Sequence, residues 1–329
     1  MSKRREQGKA PQGAHTQSTQ HVPVLLEEAI RYLRILPGST VVDATLGLGG
    51  HSAAIARLLG PEGRLIAFDR DPQAIESAEA RLATLRQELA ERMPRVTVHA
   101  VAFAEMGKWV EAGSVDGILA DFGVSSMQLG TAQRGFSFQA DAPLDMRMDP
   151  RGGVTAGQVV NQMREEDLAN LIYEFGEERR SRRIARAIVR ARPLATTAQL
   201  AKVVAACAPA IQQERIHPAT RVFQALRIYV NGELDQISAL LEQAPGLLRP
   251  AGRMVAISFH SLEDRIVKDA LRAGKQRGIW QVLTPKPVTA TEEEIQGNPR
   301  SRSAKLRAAE RKAGPERPAP EQPQSFWRR

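Results

Sequence analysis

The chain has 329 residues and a single cysteine, Cys207, so no disulfide can staple it. Three histidines stand in informative surroundings, His51, His217 and His260; none has a second His or Cys at ligand spacing, and no metal is expected. Runs of 18 apolar residues are missing and the amino end lacks a hydrophobic leader, which argues against a membrane span and against secretion. A cytoplasmic setting is the default. Residues 1–20 contain no valine, leucine or isoleucine and are expected to be a disordered leader, and residues 313–329 a disordered basic tail. Acidic charge is in short supply: 46 Lys and Arg face 37 Asp and Glu, for a formal charge of +9 and a pI near 10.1. That excess favours a polyanion, and nucleic acid is the expected partner. Apolar residues make up 42% of the chain, enough for a core, and the length suits one large domain with an insert.

The densest information lies between Val41 and Asp69. Val41-Val42-Asp43-Ala44-Thr45 reads as a strand, Leu46-Gly47-Leu48-Gly49-Gly50 as a turn and His51 as a helix start; Leu65 to Phe68 is a second strand that ends on Asp69. Glycines let backbone amides approach a ligand that a Cβ would hold off. A carboxylate at the next strand tip is placed to accept hydrogen bonds from both hydroxyls of a ribose. An adenosine-bearing cofactor follows. The dinucleotide fingerprint wants Gly or Ala where this chain has Ser52, which counts against NAD, although Ala53 next door keeps it open. S-adenosyl-L-methionine carries a carboxylate and an amine in place of a pyrophosphate. It suits this loop better and is the preferred cofactor, with NAD or a turn that binds nothing as alternatives.

Strands are expected at 41–45, 64–69, 95–100 and 115–121, with helices at about 51–60 and 72–92 and a short piece near 103–112. This alternation builds a parallel sheet with right-handed crossovers, whose ligand lies beyond the carboxyl ends of the strands. Gly47, Asp69, Phe103 and Asp121 all fall at or just past such ends. After Met127 the alternation stops. A polar loop at 130–157 precedes helices near 164–175, 178–192, 196–208 and 218–231, the last running on toward Leu248 before a strand at 253–259. The fold class is therefore α/β, a Rossmann-like sheet at 21–127 and 231–312 interrupted by an all-helical cap at 128–230.

Helix 178–192 holds seven arginines and no acid after Glu178. Arg179, Arg183, Arg186 and Arg190 share one face at helical spacing, with Ile184 and Ile188 on another. Guanidinium forks fit phosphate oxygens, so this face is a candidate grip on RNA; a solvated amphipathic face is the alternative. The loop from Arg134-Gly135-Phe136-Ser137-Phe138 to Arg147 mixes aromatics with Arg134 and Arg147, as a base-stacking surface would, or as a loop pinned to the core would. His260 to Asp264 reads as a strand end meeting a helix, with Ser261 as cap and Asp264 closing the box. Cys207 sits in an Ala- and Val-rich helix, which disfavours methylation of a pyrimidine carbon through a thiolate adduct. An exocyclic amine or a ribose hydroxyl needs only orientation and a lone-pair acceptor, and Asp121 and Ser125 are the best-placed candidates, with bulk water as proton acceptor. The amino-methyltransferase tetrapeptide, an acid or amide before Pro-Pro-aromatic, is replaced here by Asp121-Phe122-Gly123-Val124, so spacing alone does not choose the target atom.

Seven ordered blocks resemble one family: Gly49-Gly50-His51, Asp69-Arg70-Asp71-Pro72, Asp121 to Ser126, Arg134 to Phe138, Leu144 to Asp149, His217 to Arg221, and Ser258 to Arg265. That family is the bacterial small-subunit ribosomal RNA cytidine N4-methyltransferases, or MraW family, and the likeness runs from His21 to Ser303. It implies a Rossmann-like S-adenosylmethionine-dependent methyltransferase with an inserted helical domain, acting on a decoding-centre cytidine of small-subunit (16S) ribosomal RNA in an assembled or nearly assembled subunit. By motif it implies cofactor contacts from Gly49, Gly50 and His51 at the methionine end, Asp69 at the ribose, Phe103 near the adenine, and Asp121 and Gln128 closing the pocket. Whether the chain forms a homodimer is left open.

Overall fold

The computed structural model describes residues 23–207 and 218–313. The expected leader, His217 and all but the first residue of the expected tail lie outside the described residues. Helix α1 (Leu26–Leu33) precedes β1 (Thr40–Asp43), α2 (Gly50–Leu59), β2 (Arg64–Phe68), α3 (Pro72–Leu89) and β3 (Arg95–His99). A 3-10 turn at Phe103–Lys108 leads to β4 (Val115–Asp121) and the short α4 (Ser126–Gly130). Next come α5 (Ala156–Gln162), α6 (Glu165–Gly176), α7 (Ser181–Arg190), α8 (Thr197–Cys207), α9 (Pro218–Asn231) and α10 (Glu233–Leu247). The chain returns through β5 (Leu248–Ser258), α11 (Ser261–Gln276), β6 (Trp280–Val282), α12 (Glu292–Gly297) and β7 (Lys305–Arg311).

The strands lie in the order β3-β2-β1-β4-β5-β7-β6, parallel from β3 through β5, with β7 antiparallel to both neighbours. Buried parallel strands need apolar residues on both faces, and Val41, Val42, Leu65, Ala67, Ile118 and Leu119 supply them. β1 pairs with β2 on one side and β4 on the other, so successive crossovers leave in opposite directions and open a crevice above their carboxyl ends. The fold is thus the expected Rossmann-like α/β architecture. Two strands escaped the sequence reading, β6 and β7, as did α1, α5 and the break at Gly232, whose φ of +57° ends α9 and starts α10. The capping box of α11 is also shifted by one residue: His260 caps and Glu263 closes it, because the Glu263 carboxylate reaches back to the N–H groups of Phe259 and His260.

Helices α5 to α9 surround a core of their own, built on Met146, Leu168, Ile172, Ile184, Ile188 and Phe223. Phe136 is buried in it and Phe138 packs edge-on against Phe223 at 5.0 Å. These rings therefore anchor the loop, which corrects the base-stacking alternative. Arg134 is corrected with them. Its guanidinium is buried against Asp71 at 2.9 Å, donates to Gln73 at 2.7 Å, and donates to the carbonyls of Arg147 and Met148 at 3.0 Å, so both terminal nitrogens are spent inside the protein and the side chain does not present a fork to RNA. Asp71 in turn caps α3 through the Gln73 N–H and accepts from Gln128 Nε2 at 2.8 Å. A second tie runs through Asn231, which accepts from the Met148 N–H and donates to the Met146 carbonyl, each at 2.8 Å. Arg134 joins the insert to the sheet across 63 residues of chain. Removing one member of such a pair strands a buried charge, which costs roughly 3–5 kcal/mol. Arg134→Ala is expected to lose that much in urea denaturation; a loss below about 1 kcal/mol would show the pair to be dispensable.

Candidate active site

The acids at the strand tips converge. Asp43 closes β1, Asp69 follows β2 and Asp121 closes β4, and the last two line a cleft of about 340 Å³, a size suited to a small ligand. Asp69 is held by two backbone donors, the Gly47 N–H on Oδ2 at 2.8 Å and the Asp71 N–H on Oδ1 at 2.9 Å. Burial pushes its carboxyl above the ordinary range while those donors pull the other way. Asp43 is fully buried beneath the loop. Ser52 Oγ donates to it at 2.6 Å and the Thr45 N–H at 3.1 Å, yet burial still raises its pKa to about 6. The Thr45 hydroxyl then accepts the Asp121 N–H at 2.7 Å, which locks the tips of β1 and β4 together.

Asp121 is the least satisfied of the group. Its Oδ1 is buried without a hydrogen-bond partner, while Oδ2 lies 3.6 Å from His51 Nδ1. Burial, then the nearby charges of Asp43 and Glu263, raise its pKa well above the ordinary carboxylate value. His51 Nε2 faces the Val24 carbonyl at 3.2 Å, which can only accept, so that nitrogen carries a proton.

Of the residues singled out by sequence, Gly50, His51, Asp69, Phe103, Asp121, Ser125 and Gln128 all border this one cleft. Gly49 does not; its α-carbon faces Ala78 in α3, where a Cβ would come within 3.1 Å. Gly50 is required by packing, since a Cβ there would sit 2.4 Å from Pro23. Gly47 does border the cleft, and a Cβ on it would meet only the Thr45 carbonyl at 3.8 Å and so occupy ligand space. Ser125 and Gln128 are partners in a capping box: the Gln128 N–H donates to Ser125 Oγ at 3.2 Å, and the Ser125 N–H to Gln128 Oε1 at 2.9 Å.

The arginines fall elsewhere. Arg183, Arg186 and Arg190 are exposed on α7, opposite the buried Ile184 and Ile188. Arg179 is exposed but precedes the helix, because the buried Glu178 carboxylate accepts the Arg180 N–H and α7 starts only at Ser181. Arg147 is engaged by Asp145 through two of its nitrogens, at 2.7 and 2.8 Å. Cys207 ends α8 in the insert and no thiol borders the cleft.

Sequence reasoning missed Arg227, Glu233, Gln236, Glu263 and Arg300, which border the same cleft. Arg227 is held by both oxygens of Glu233 at 2.8 Å. Burial opposes the charge of Glu263, but His260 and Arg227 more than offset it and hold its carboxyl below the ordinary range. Glu233, His260 and Glu263 present possible metal-ligand atoms within 4.8 Å of one another. Arg227, 3.4 Å from His260 Nε2 and paired with Glu233, already supplies that cluster with positive charge.

Comparison with known proteins completes the picture. The pattern that defines the MraW methylase family matches residues 18–312. The chain belongs to the MraW methylase family. A ribosomal RNA small subunit methyltransferase H of Acidobacterium capsulatum is 70% identical over 292 residues, covering 89% of this chain and 98% of that protein. One of the same name from Koribacter versatilis is 59% identical over 310 residues, covering 93% and 99%. A solved SAM-dependent O-methyltransferase from Thermotoga maritima aligns over 91% of this chain and 70% of its own at 11% identity and a TM-score of 0.42, too loose to carry an argument. Membership of a methylase family removes the reason to keep NAD.

For Asp43 the pH dependence has a definite sign. A carboxyl raised from 3.8 to about 6 on folding binds more protons in the native state, so it favours folding at low pH and that contribution is lost as pH rises through 6. The span corresponds to about 3 kcal/mol. Asp43→Asn is expected to flatten the fall in unfolding free energy between about pH 4 and 6 relative to the parent chain; parallel curves would show that Asp43 titrates normally.

Proposed function

We propose that this chain transfers a methyl group from S-adenosyl-L-methionine to the exocyclic N4 amine of a cytidine in small-subunit ribosomal RNA, near the decoding centre. The relatives' name supplies the RNA and the subunit, and the likeness of the motifs supplies the cytidine amine. The observation that carries the chemistry is Asp121 Oδ1, a buried acceptor at a strand tip with no donor of its own. A cytidine amine brings two N–H groups, one to rest on that oxygen and be shed to it as the methyl arrives, the other to be kept in the product.

Two features fit the cofactor: the open space above Gly47, and the Asp69 carboxylate at the tip of β2, whose remaining lone pairs suit ribose hydroxyls. Phe103 would lie near the adenine, Gly50 and His51 at the methionine end, with Gly49 setting the turn, and Asp121 and Gln128 would close the pocket. When bound, the cofactor supplies an electrophilic methyl group. Asp121 orients the amine, and its raised proton affinity equips it to take the proton that the amine sheds, a route the sequence had assigned to bulk water. Ser125 is fixed beside it by the α4 capping box. The absence of a thiol from the cleft agrees with a target that needs no covalent adduct. The insert, 128–230, with its own core, serves as the RNA-recognition domain, and Arg179, Arg183, Arg186 and Arg190 hold phosphates, with Arg147 restrained by Asp145.

Mass spectrometry of ribosomal RNA from cells lacking the protein is expected to show one N4-methylcytidine missing; unchanged RNA would sink the reading. Asp121→Asn should fail to restore the mark, with kcat down roughly 10²-fold. Since the ionised acid is the active form, activity of the parent chain should fall as pH drops through a value above the ordinary carboxylate range, and the variant should lack that limb. Replacing the four α7-region arginines by Gln should shallow the salt dependence of RNA binding by about 0.7–0.9 per lost phosphate contact, whereas an unaltered slope would make them a solvated face.

A further inference from the structure

Three arginines border the cleft, and their partners differ. Arg227 is neutralised by Glu233, and Arg70 donates to the Asn231 carbonyl at 2.9 Å within the field of Glu233, Asp69 and Asp149. Arg300 is half-buried and, among the described residues, has no carboxylate within ion-pair distance; its hydrogen bond goes to the neutral Ser126 hydroxyl. Burial lowers its pKa with nothing to offset the loss of water. A guanidinium has five N–H donors in a planar fork, and among the described residues Ser126 is the one hydrogen-bond partner of this one on the cleft wall. Ser303, from the same turn, and Ser126 add hydroxyls to the same wall.

We infer that Arg300, Ser126 and Ser303 form an anion site at the cleft mouth that holds the phosphodiester of the nucleotide being methylated. The fork matches phosphate oxygens in pairs, and a phosphate fixed at the rim leaves the attached base to enter the cleft toward Asp121. The cofactor's own carboxylate has backbone donors at the start of α2, a ten-residue helix, which leaves Arg300 for a second anion. The site rests on the RNA reading above and adds to it a contact that the insert does not provide.

Arg300→Gln, Arg300→Lys and Ser126→Ala are to be compared with the full chain by filter binding of a labelled single-stranded fragment of small-subunit ribosomal RNA across salt concentrations, by calorimetric titration with S-adenosyl-L-methionine, and by thermal unfolding. Arg300→Gln is expected to weaken RNA binding about tenfold and to shallow the salt slope by about 0.7, Arg300→Lys to keep the slope, and cofactor affinity to stay constant. Loss of cofactor affinity with the RNA slope intact would assign the guanidinium to the methionine carboxylate and overturn the inference. Intact RNA binding with a lowered Tm in both Arg300→Gln and Ser126→Ala would reduce the contact to a clasp and overturn it as well. Methyl transfer by the parent chain, assayed in parallel, separates the two levels: transfer without any Arg300 effect defeats the anion site alone, while Arg300-dependent RNA binding without transfer defeats the methylation reading alone.

Discussion

Burying several carboxylates in one crevice is the constraint on which this molecule turns. A parallel sheet that reverses between β1 and β4 brings Asp43, Asp69 and Asp121 to one end, with Asp71 a turn away. Like charges in a low-dielectric crevice oppose each other, so each needs its own compensation. Asp69 has two backbone N–H groups, Asp43 a hydroxyl and an N–H, and Asp71 a guanidinium, an amide and a helix start. Of these four aspartates only Asp121 keeps a buried oxygen without a donor, a condition that Glu263 Oε1 and Gln236 Oε1 share on the cleft wall. The proposed chemistry falls to Asp121, and the satisfied aspartates hold the loops that shape the cleft.

The same logic couples the insert to the sheet. Asp71 answers Arg134 in the insert's first loop, and Arg70, just past the tip of β2, donates to the Asn231 carbonyl at the end of α9. Polar contacts of this kind fix position more sharply than apolar ones, because a small shift leaves a buried group unpaired. The arginine face of α7 is therefore carried at a defined place relative to the strand tips.

The four parallel strands up to Asp121 were legible because each is a short apolar run bounded by turn residues, and the crevice followed from their alternation with helices. The strand Lys305-Leu306-Arg307-Ala308-Ala309-Glu310-Arg311 was not legible. Its alanines and charges carry no strand preference, and its burial depends on β5 and on Asp264 receiving Arg307 at 2.6 Å. Arg134 misled for a related reason: an arginine in a polar loop has no local sign that its partner lies 63 residues earlier. Arg227, Glu263 and Arg300 were missed because sequence periodicity says which face is apolar and not which polar side chain a distant strand end will meet. Gly50 stood out in the sequence as a ligand-approach glycine, and the close approach it permits in the structure is to Pro23.

The turn that carries Arg300 immediately precedes β7, which completes the sheet against β5, and Glu294 in α12 accepts the N–H of Leu25 at 2.8 Å. The first and the last described segments thus meet at the same opening. Chain growth proceeds from the amino end, so a nascent polypeptide holding Asp69, Asp121 and the whole insert still has an unfinished rim. The pocket gains its final wall only when β7 pairs with β5, which ties the shape of the cleft to the closing of the sheet.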